Sequence, residues 1–298
     1  MGADYGTGDR LKLVPARARA ACYLDLGHHL RDTTLVVSTG RSGSTWVAEV
    51  LNHANEYRLV FEPFRSDRVR KARAFRLGQY IDPEDQEHPL AQTIDGLLAG
   101  RVRGWWTDRQ NRRRIASRRI VKEIRITNLV PWIRTRHPAL RIVYAVRDPV
   151  AVARSWLELG WGDGLEEFLD QEPLLARFRE EDGAIREIAG HGDQFERHIL
   201  RWCLENAIPL KREPAPDVHH VVYERLRTEP QQELERLFGY LGKPVDGAYE
   251  AVRKPSATAG FPRTRSVTIT EGQRRRAHEI IELFDLADVA PGGDASGS

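Results

Sequence analysis

Residues 33–52, Thr-Thr-Leu-Val-Val-Ser-Thr-Gly-Arg-Ser-Gly-Ser-Thr-Trp-Val-Ala-Glu-Val-Leu-Asn, decide how the chain is read. Leu35, Val36 and Val37 are a short aliphatic run of the kind that fills a strand buried on both faces of a parallel sheet. The polar stretch 38–44 follows and carries Gly40 and Gly43. Beyond it Trp46, Val47, Val50 and Leu51 recur at i, i+1, i+4 and i+5, one face of a helix. A strand, a glycine-bearing loop and a helix N-terminus gather free backbone N–H groups and a positive dipole end at one point, which attracts anions. Ser42, Ser44 and Thr45 add hydroxyl donors and Arg41 a forked cation, which points the loop at a phosphate. Capping an ordinary helix takes far fewer polar groups than this.

The loop is not a Walker A motif, because Arg41 precedes the second glycine and no Lys follows it. Working outward, Leu140-Arg-Ile-Val-Tyr-Ala-Val146 is the strongest strand in the chain, and Arg147-Asp148-Pro149 opens the helix after it. Asp148 suits the cap and Pro149 the first turn. Ser155 lies eight residues beyond Arg147. Taken alone, Arg-Asp-Pro is a common helix entry and Ser155 a common surface residue. Further strands are read at Tyr57–Phe61, ending in Glu62-Pro63-Phe64, at residues 119–126, and at Val218–Tyr223. Helices are read at 128–136, 194–210, 229–241 (ended by Gly242) and 271–286. Strands alternating with helices give one α/β domain around a central parallel sheet flanked by helices, without internal repeats.

Composition bounds the rest. At 298 residues, with 41% hydrophobic and 30% charged residues, the chain suits a single enzyme-sized domain. The net charge is +3, and only six of the 46 basic residues are Lys. Basicity that is almost all Arg reflects codon usage as much as function, so no nucleic-acid partner is called for. The Arg-rich run from Arg101 to Arg119 nevertheless favours an acidic substrate. Cys22 and Cys203 have neither metal-ligand nor disulfide spacing and read as buried free thiols. The pair His28-His29 reads as surface capping. No apolar segment of membrane-spanning length or leader character is present, so the expectation is a soluble, cytoplasmic protein without membrane insertion. Residues 1–14 and 290–298 read as flexible ends around a domain at 15–289. Insertions at about 64–118 and 157–200 are placed to shape a substrate pocket. Trp105 and Trp106 lie in the first of these and read as core cover or as a stacking surface for a ring.

The sequence resembles the sulfotransferases that use 3′-phosphoadenosine 5′-phosphosulfate (PAPS). Arg41-Ser42-Gly43-Ser44-Thr45-Trp46 sits between the 5′-phosphosulfate loop of the cytosolic members, Pro-Lys-Ser-Gly-Thr-Thr-Trp, and that of the Golgi carbohydrate members, Arg-Ser-Gly-Ser-Ser-Phe. Arg147-Asp148-Pro149 and Ser155 resemble the family's 3′-phosphate motif. Arg119-Ile-Val-Lys122 resembles the cytosolic strand whose Lys steadies the bridging oxygen of the leaving group, and Glu123-Ile-Arg125 resembles a strand of the carbohydrate group. Val222-Tyr223-Glu224-Arg225-Leu226 resembles the strand whose Tyr reaches the adenine, and Gly260-Phe261-Pro262-Arg263 loosely resembles a loop over the nucleotide. The resemblance covers roughly residues 33–62 and 119–270. It implies a P-loop-kinase-like fold. It also implies PAPS as donor, 3′,5′-adenosine bisphosphate (PAP) as product, and a nucleotide site of Arg41, Ser42, Gly43, Ser44, Thr45, Trp46, Arg147, Ser155, Tyr223 and Arg263. No metal is demanded.

One departure matters. Cytosolic members keep a catalytic His two residues beyond the strand Lys, where this chain has Ile124. The carbohydrate group has a Glu-Pro pair after its second strand, matched by Glu62-Pro63. The resemblance therefore makes Glu62 the base, with Lys122 and Arg41 stabilising charge. A capping or ion-pairing role for Glu62 is the other reading. The acceptor expected is a hydroxyl on a small molecule or glycan. Two rivals stay open: a kinase, which should show the missing Walker Lys, and a non-catalytic nucleotide-binding regulator, which would need neither Glu62 nor Lys122.

Overall fold

The aliphatic run at 35–37 becomes the middle of the sheet in the computed structural model, which describes residues 24–27, 29–257, 260 and 262–289. Strands are β1 (Leu24–Asp25), β2 (Thr33–Ser38), β3 (Arg58–Phe61), β4 (Ile115–Ala116), β5 (Arg119–Glu123), β6 (Arg141–Val146) and β7 (Val218–Val222). Five form one sheet in the order β3-β5-β2-β6-β7, and every pairing in it is parallel. β1 and β4 make a separate two-residue ladder. The main helices are α1 (Ser44–Leu51), α2 (Ala91–Leu98), α3 (Val130–Arg136), α4 (Pro149–Glu158), α5 (Asp182–His191), α6 (Gln194–Ala207), α7 (Tyr223–Thr228), α8 (Pro230–Leu241) and α9 (Glu271–Leu283). The expected α/β class and central parallel sheet are what the chain forms.

Successive side chains of a strand point to opposite faces, and β2 uses both. Leu35 and Val37 join Trp156, Ile199 and Trp202 in one core cluster, while Val36 joins Val47, Leu51, Leu237 and Phe238 in the other. Helices cover both faces, so no position of the run is left for a polar residue. From β2 the chain runs out to the β3 edge, returns as β5, and crosses to β6 on the other side of β2. The carboxyl end of β2 therefore lies where the winding changes direction, the place at which open α/β sheets take ligands.

The opposite edge is built for stability. Arg58 and Arg119, the first residues of β3 and β5, are wholly buried. Asp25 receives Arg58 at 2.8 Å and Arg119 at 3.3 Å, and Asp108 receives Arg58 at 3.1 Å. Arg119 also donates to Thr33 Oγ1 and to the Gly27 carbonyl. These partners offset the cost of dehydrating two guanidiniums.

Boundaries differ from the sequence reading where side chains capture the backbone. β5 stops at Glu123 rather than 126, because the Ile124 N–H goes to the Glu123 carboxylate at 2.8 Å. Tyr223 opens α7 instead of ending β7. The helix read through 210 ends at Ala207 and continues as a π turn, Ile208–Arg212, containing Pro209. α9 stops at Leu283 rather than 286. Trp106 is buried core, whereas Trp105 is half-exposed. Cys203 is wholly buried. The readings made for 1–14, Cys22, His28, Phe261 and 290–298 fall outside the described residues. No helix among the described residues is long and apolar enough to cross a membrane.

Candidate active site

β2 delivers the chain to the loop between Ser38 and α1. Gly43 caps α1 with φ +86°, a conformation that favours glycine. A Cβ there would also come within 2.5 Å of the Tyr223 ring. Arg41 is in the left-handed region as well, at φ 71°. Such backbone is held only where its surroundings fix it. Here Asn206 of α6 donates to Thr39 Oγ1 at 2.8 Å and accepts from the Tyr144 hydroxyl at 2.9 Å. The Ser42 hydroxyl is buried without a partner among the described residues, and Ser44 and Thr45 are buried in the first turn of α1. An orphaned buried hydroxyl beside a helix N-terminus is the feature that an anion would satisfy.

Asp148 fixes the second motif. Its Oδ1 accepts the Ala151 N–H at 2.6 Å and Pro149 starts α4, leaving Arg147 just beyond β6. Arg147 donates from Nη1 to the Arg41 carbonyl at 2.9 Å, and its guanidinium lies 4.4 Å over the Tyr223 ring. Arg41 Nε donates to Ser155 Oγ at 3.0 Å. The structure thus brings Arg41, Arg147, Ser155 and Tyr223 into one cluster, and Trp46 packs edge-on against Tyr223 at 5.6 Å. Burial pulls the Arg41 pKa down, and the neighbouring Arg147 cation adds to this. Two guanidiniums crowded together at the ends of β2 and β6 are relieved by a dianion. Arg263 bears on the cluster only through its charge, which helps pull the Arg41 pKa down; its side chain is 68% exposed and pairs with Glu158 at 3.3 Å.

The carboxylate centre is separate from this cluster in sequence. Glu62 follows β3 at φ 43°, with its N–H on the Lys122 carbonyl at 2.8 Å. Lys122 Nζ meets its Oε1 at 2.9 Å and Arg125 Nη1 its Oε2 at 3.1 Å. Burial alone would push the Glu62 carboxyl up, but the Lys122 and Arg125 cations outweigh it and hold its pKa at about 2. Glu123, wholly buried, accepts the Phe64 and Ile124 N–H groups, each at 2.8 Å, and lies 3.4 Å from Arg125. Burial keeps its carboxyl above the ordinary range. Charges therefore alternate along Glu123, Arg125, Glu62 and Lys122. The ion-pairing reading of Glu62 is correct as geometry, and it leaves the carboxylate ionised at the sheet's carboxyl edge.

Arg125 had no role assigned from the sequence, although its place two residues after Glu123 and three after Lys122 was a visible signal. Trp161 was missed altogether. A Cβ added to Gly40 would lie 3.3 Å from Trp161 Cζ3 and 3.5 Å from both Ile124 Cδ1 and Trp156 Nε1. Trp161 is 37% exposed, the one exposed large aromatic among the described residues. It sits in Gly160-Trp161-Gly162-Asp163-Gly164, where a tryptophan set among glycines is a signal of close approach.

The model of the sulfotransferase domain matches residues 31–282. No curated protein sequence matches the chain. Among solved structures, the sulfotransferase domain from the curacin biosynthetic pathway is 17% identical, over 87% of this chain and 98% of that one, with a TM-score of 0.44. The sulfotransferase from Alicyclobacillus acidocaldarius is 14% identical over 86% and 95% of the two chains, TM-score 0.42. A retinol dehydratase in complex with androsterone and the inactive cofactor PAP is 16% identical over 94% and 86%, TM-score 0.39. The family match runs from just before β2 to the end of α9, and on that extent the chain belongs to the sulfotransferase family and is an enzyme of sulfuryl transfer.

Proposed function

We propose that the chain transfers a sulfuryl group from PAPS to a hydroxyl of a small-molecule or glycan acceptor, with Glu62 as the base. The observation that carries this reading is the pairing of a nucleotide-type anion cluster with a buried, ionised carboxylate at one edge of the sheet. The residues present fit the donor. The orphaned Ser42 hydroxyl, Ser44, Thr45 and the N–H groups at the start of α1 suit the 5′-phosphosulfate. Arg147, whose Nε makes no hydrogen bond among the described residues and faces Glu224 at 4.0 Å, suits the 3′-phosphate together with Arg41 and Ser155. Trp46 and Tyr223 offer aromatic surface for a base, and Arg263 adds positive charge that is felt at Arg41.

PAPS supplies an activated sulfuryl group, whose sulfur–oxygen bond to the 5′-phosphate breaks as the acceptor oxygen bonds to sulfur. Glu62 takes the acceptor's proton. A carboxylate with a pKa of about 2 is fully ionised at neutral pH but a weak base. Lys122 resolves that conflict, because a cation drawn from Glu62 toward charge developing on the leaving oxygen stops depressing the Glu62 pKa. Lys122 and Arg41 thus stabilise the leaving group while the base strengthens, a use of placed charge typical of group transfer. Arg125, anchored by Glu123, holds the carboxylate in place during that exchange. Gly40, Ile124 and Trp161 border the acceptor's approach, and the exposed indole gives a flat surface for a ring.

Incubation with PAPS and a panel of 4-nitrophenyl glycosides and phenols, followed by mass spectrometry, tests this reading. Sulfated product together with equimolar PAP supports it. Phosphorylated product from ATP in the same panel, with none from PAPS, would transfer the assignment to a kinase.

A further inference from the structure

Tyr223 and Glu224 open α7 directly after β7, beside the cluster of Arg41 and Arg147. Tyr223 had a role assigned from the sequence and Glu224 had none. Glu224 Oε1 accepts the Asp148 N–H at 3.2 Å and lies 4.0 Å from Arg147 Nε. Its Oε2 and Arg147 Nε are both buried, and neither makes a hydrogen bond among the described residues. Arg147 is held from other sides too: Nη1 donates to the Arg41 carbonyl at 2.9 Å, and the guanidinium lies 4.4 Å over the Tyr223 ring. A carbonyl, a ring and a carboxylate therefore fix the guanidinium. The same carboxylate fixes Asp148, whose side chain caps α4 by accepting the Ala151 N–H.

Holding an N–H does not require a charge. An amide oxygen accepts from Asp148 as a carboxylate does, and here the charge is unfavourable. Burial raises the Glu224 pKa and the Asp148 carboxylate adds to it, with the Arg147 cation acting in the opposite sense. Burial also raises the pKa of Asp148 itself. Glu224 thus sits where one acid is already present and where Arg147 is placed to meet a phosphate. Like charges repel across a half-buried site, so Glu224 opposes the dianion that Arg147 and Arg41 attract. A group that orients a cation and offsets part of its charge tunes how long an anion stays.

We propose that Glu224 is the positioning residue of the 3′-phosphate subsite: it aims Arg147 at the phosphate, and its charge loosens the grip on the nucleotide so that PAP leaves after transfer. This rests on the PAPS reading, because PAP is the ligand whose 3′-phosphate would meet Arg147.

Calorimetry of PAP and of adenosine 5′-phosphosulfate on the whole chain, as parent, Glu224→Gln and Glu224→Ala, tests it. Glu224→Gln keeps an acceptor for the Asp148 N–H and loses the charge. It should bind PAP at least about threefold more tightly than the parent at low ionic strength, and salt should shrink the gain. In stopped-flow the gain should show as slower PAP release. Glu224→Ala lacks both the charge and the acceptor, and should bind PAP at least about tenfold more weakly than Glu224→Gln. Adenosine 5′-phosphosulfate has no 3′-phosphate and should bind all three alike. A Gln variant that holds PAP no more tightly than the parent overturns the proposal. So does an Ala variant that matches the Gln variant, or a change shared by both ligands. If Glu224→Ala does not fold, the Gln variant and its salt dependence still decide. A parent that does not bind PAP would overturn the donor reading and this proposal with it, whereas a parent that binds PAP beside variants that match it overturns this proposal alone.

Discussion

Replacing Glu62 by Gln keeps the shape of the side chain and removes its charge. Three cations then lose a shared partner: Lys122, now at 2.9 Å, Arg125, at 3.1 Å, and more distantly Arg65, at 3.9 Å. Breaking a buried pair by removing one partner costs about 3–5 kcal/mol. The amide oxygen still accepts one hydrogen bond, and Arg125 keeps Glu123, so the low end of that range applies. Each 1 kcal/mol moves the melting temperature by roughly 2–4 °C in a domain of this size, so the variant should melt several degrees lower yet remain folded at 25 °C. Turnover should fall by about 10²–10⁴-fold, the usual contribution of a positioned base. PAP affinity should hold, because Arg41, Arg147, Ser155 and the loop are untouched. The assay is the PAPS-dependent rate on the best acceptor, with PAP binding measured beside it. A Glu62→Gln enzyme with more than a tenth of parental turnover would refute the role given to this carboxylate, and parallel loss of PAP affinity would show that the two centres are not separate.

Three further outcomes follow from named contacts. Arg147→Ala should weaken PAP by at least about tenfold, since charge-assisted hydrogen bonds are worth roughly 1.5–3 kcal/mol, and should barely change adenosine 5′-phosphosulfate, which lacks the 3′-phosphate; equal loss for both ligands would place that phosphate elsewhere. Asp25→Ala strips a partner from Arg58 and Arg119 at the edge remote from the site and should lower stability by about 3 kcal/mol with kcat unchanged in the folded enzyme, as read by chemical denaturation and by the transfer assay. His198 is wholly buried, and burial lowers its pKa to about 4. The unfolded chain then binds the extra proton between pH 6.5 and 4, so stability falls on acidification, by about 2 kcal/mol at pH 5. His198→Asn should flatten that part of the stability–pH curve, and an unchanged slope would show that His198 does not cause it.

Much of this fold was legible because one strand, one loop and one helix carried both the core pattern and the chemistry. Leu35, Val36 and Val37 announced a strand covered on both faces, and Arg147-Asp148-Pro149 announced the cap that aims Arg147. The fine structure of the site was not legible, since it depends on contacts between distant segments. Arg41 takes left-handed backbone and bonds Ser155 across 114 residues of sequence, neither of which a local pattern reveals. The early end of β5 follows from Glu123 binding the next N–H, a competition that alternation of apolar residues cannot show. Trp161 was missed because its role comes from the space Gly40 leaves, a property of two loops that are remote in sequence.

Whether the cluster around Arg41 and Arg147 is a PAP site is decided by a thermal-shift comparison of PAP, ADP and ATP, each with and without Mg²⁺. A ligand at about 100 times its dissociation constant stabilises by roughly 2.7 kcal/mol, so PAP alone should raise the melting temperature by several degrees, with or without the metal. A shift given only by ATP with Mg²⁺ would contradict the account.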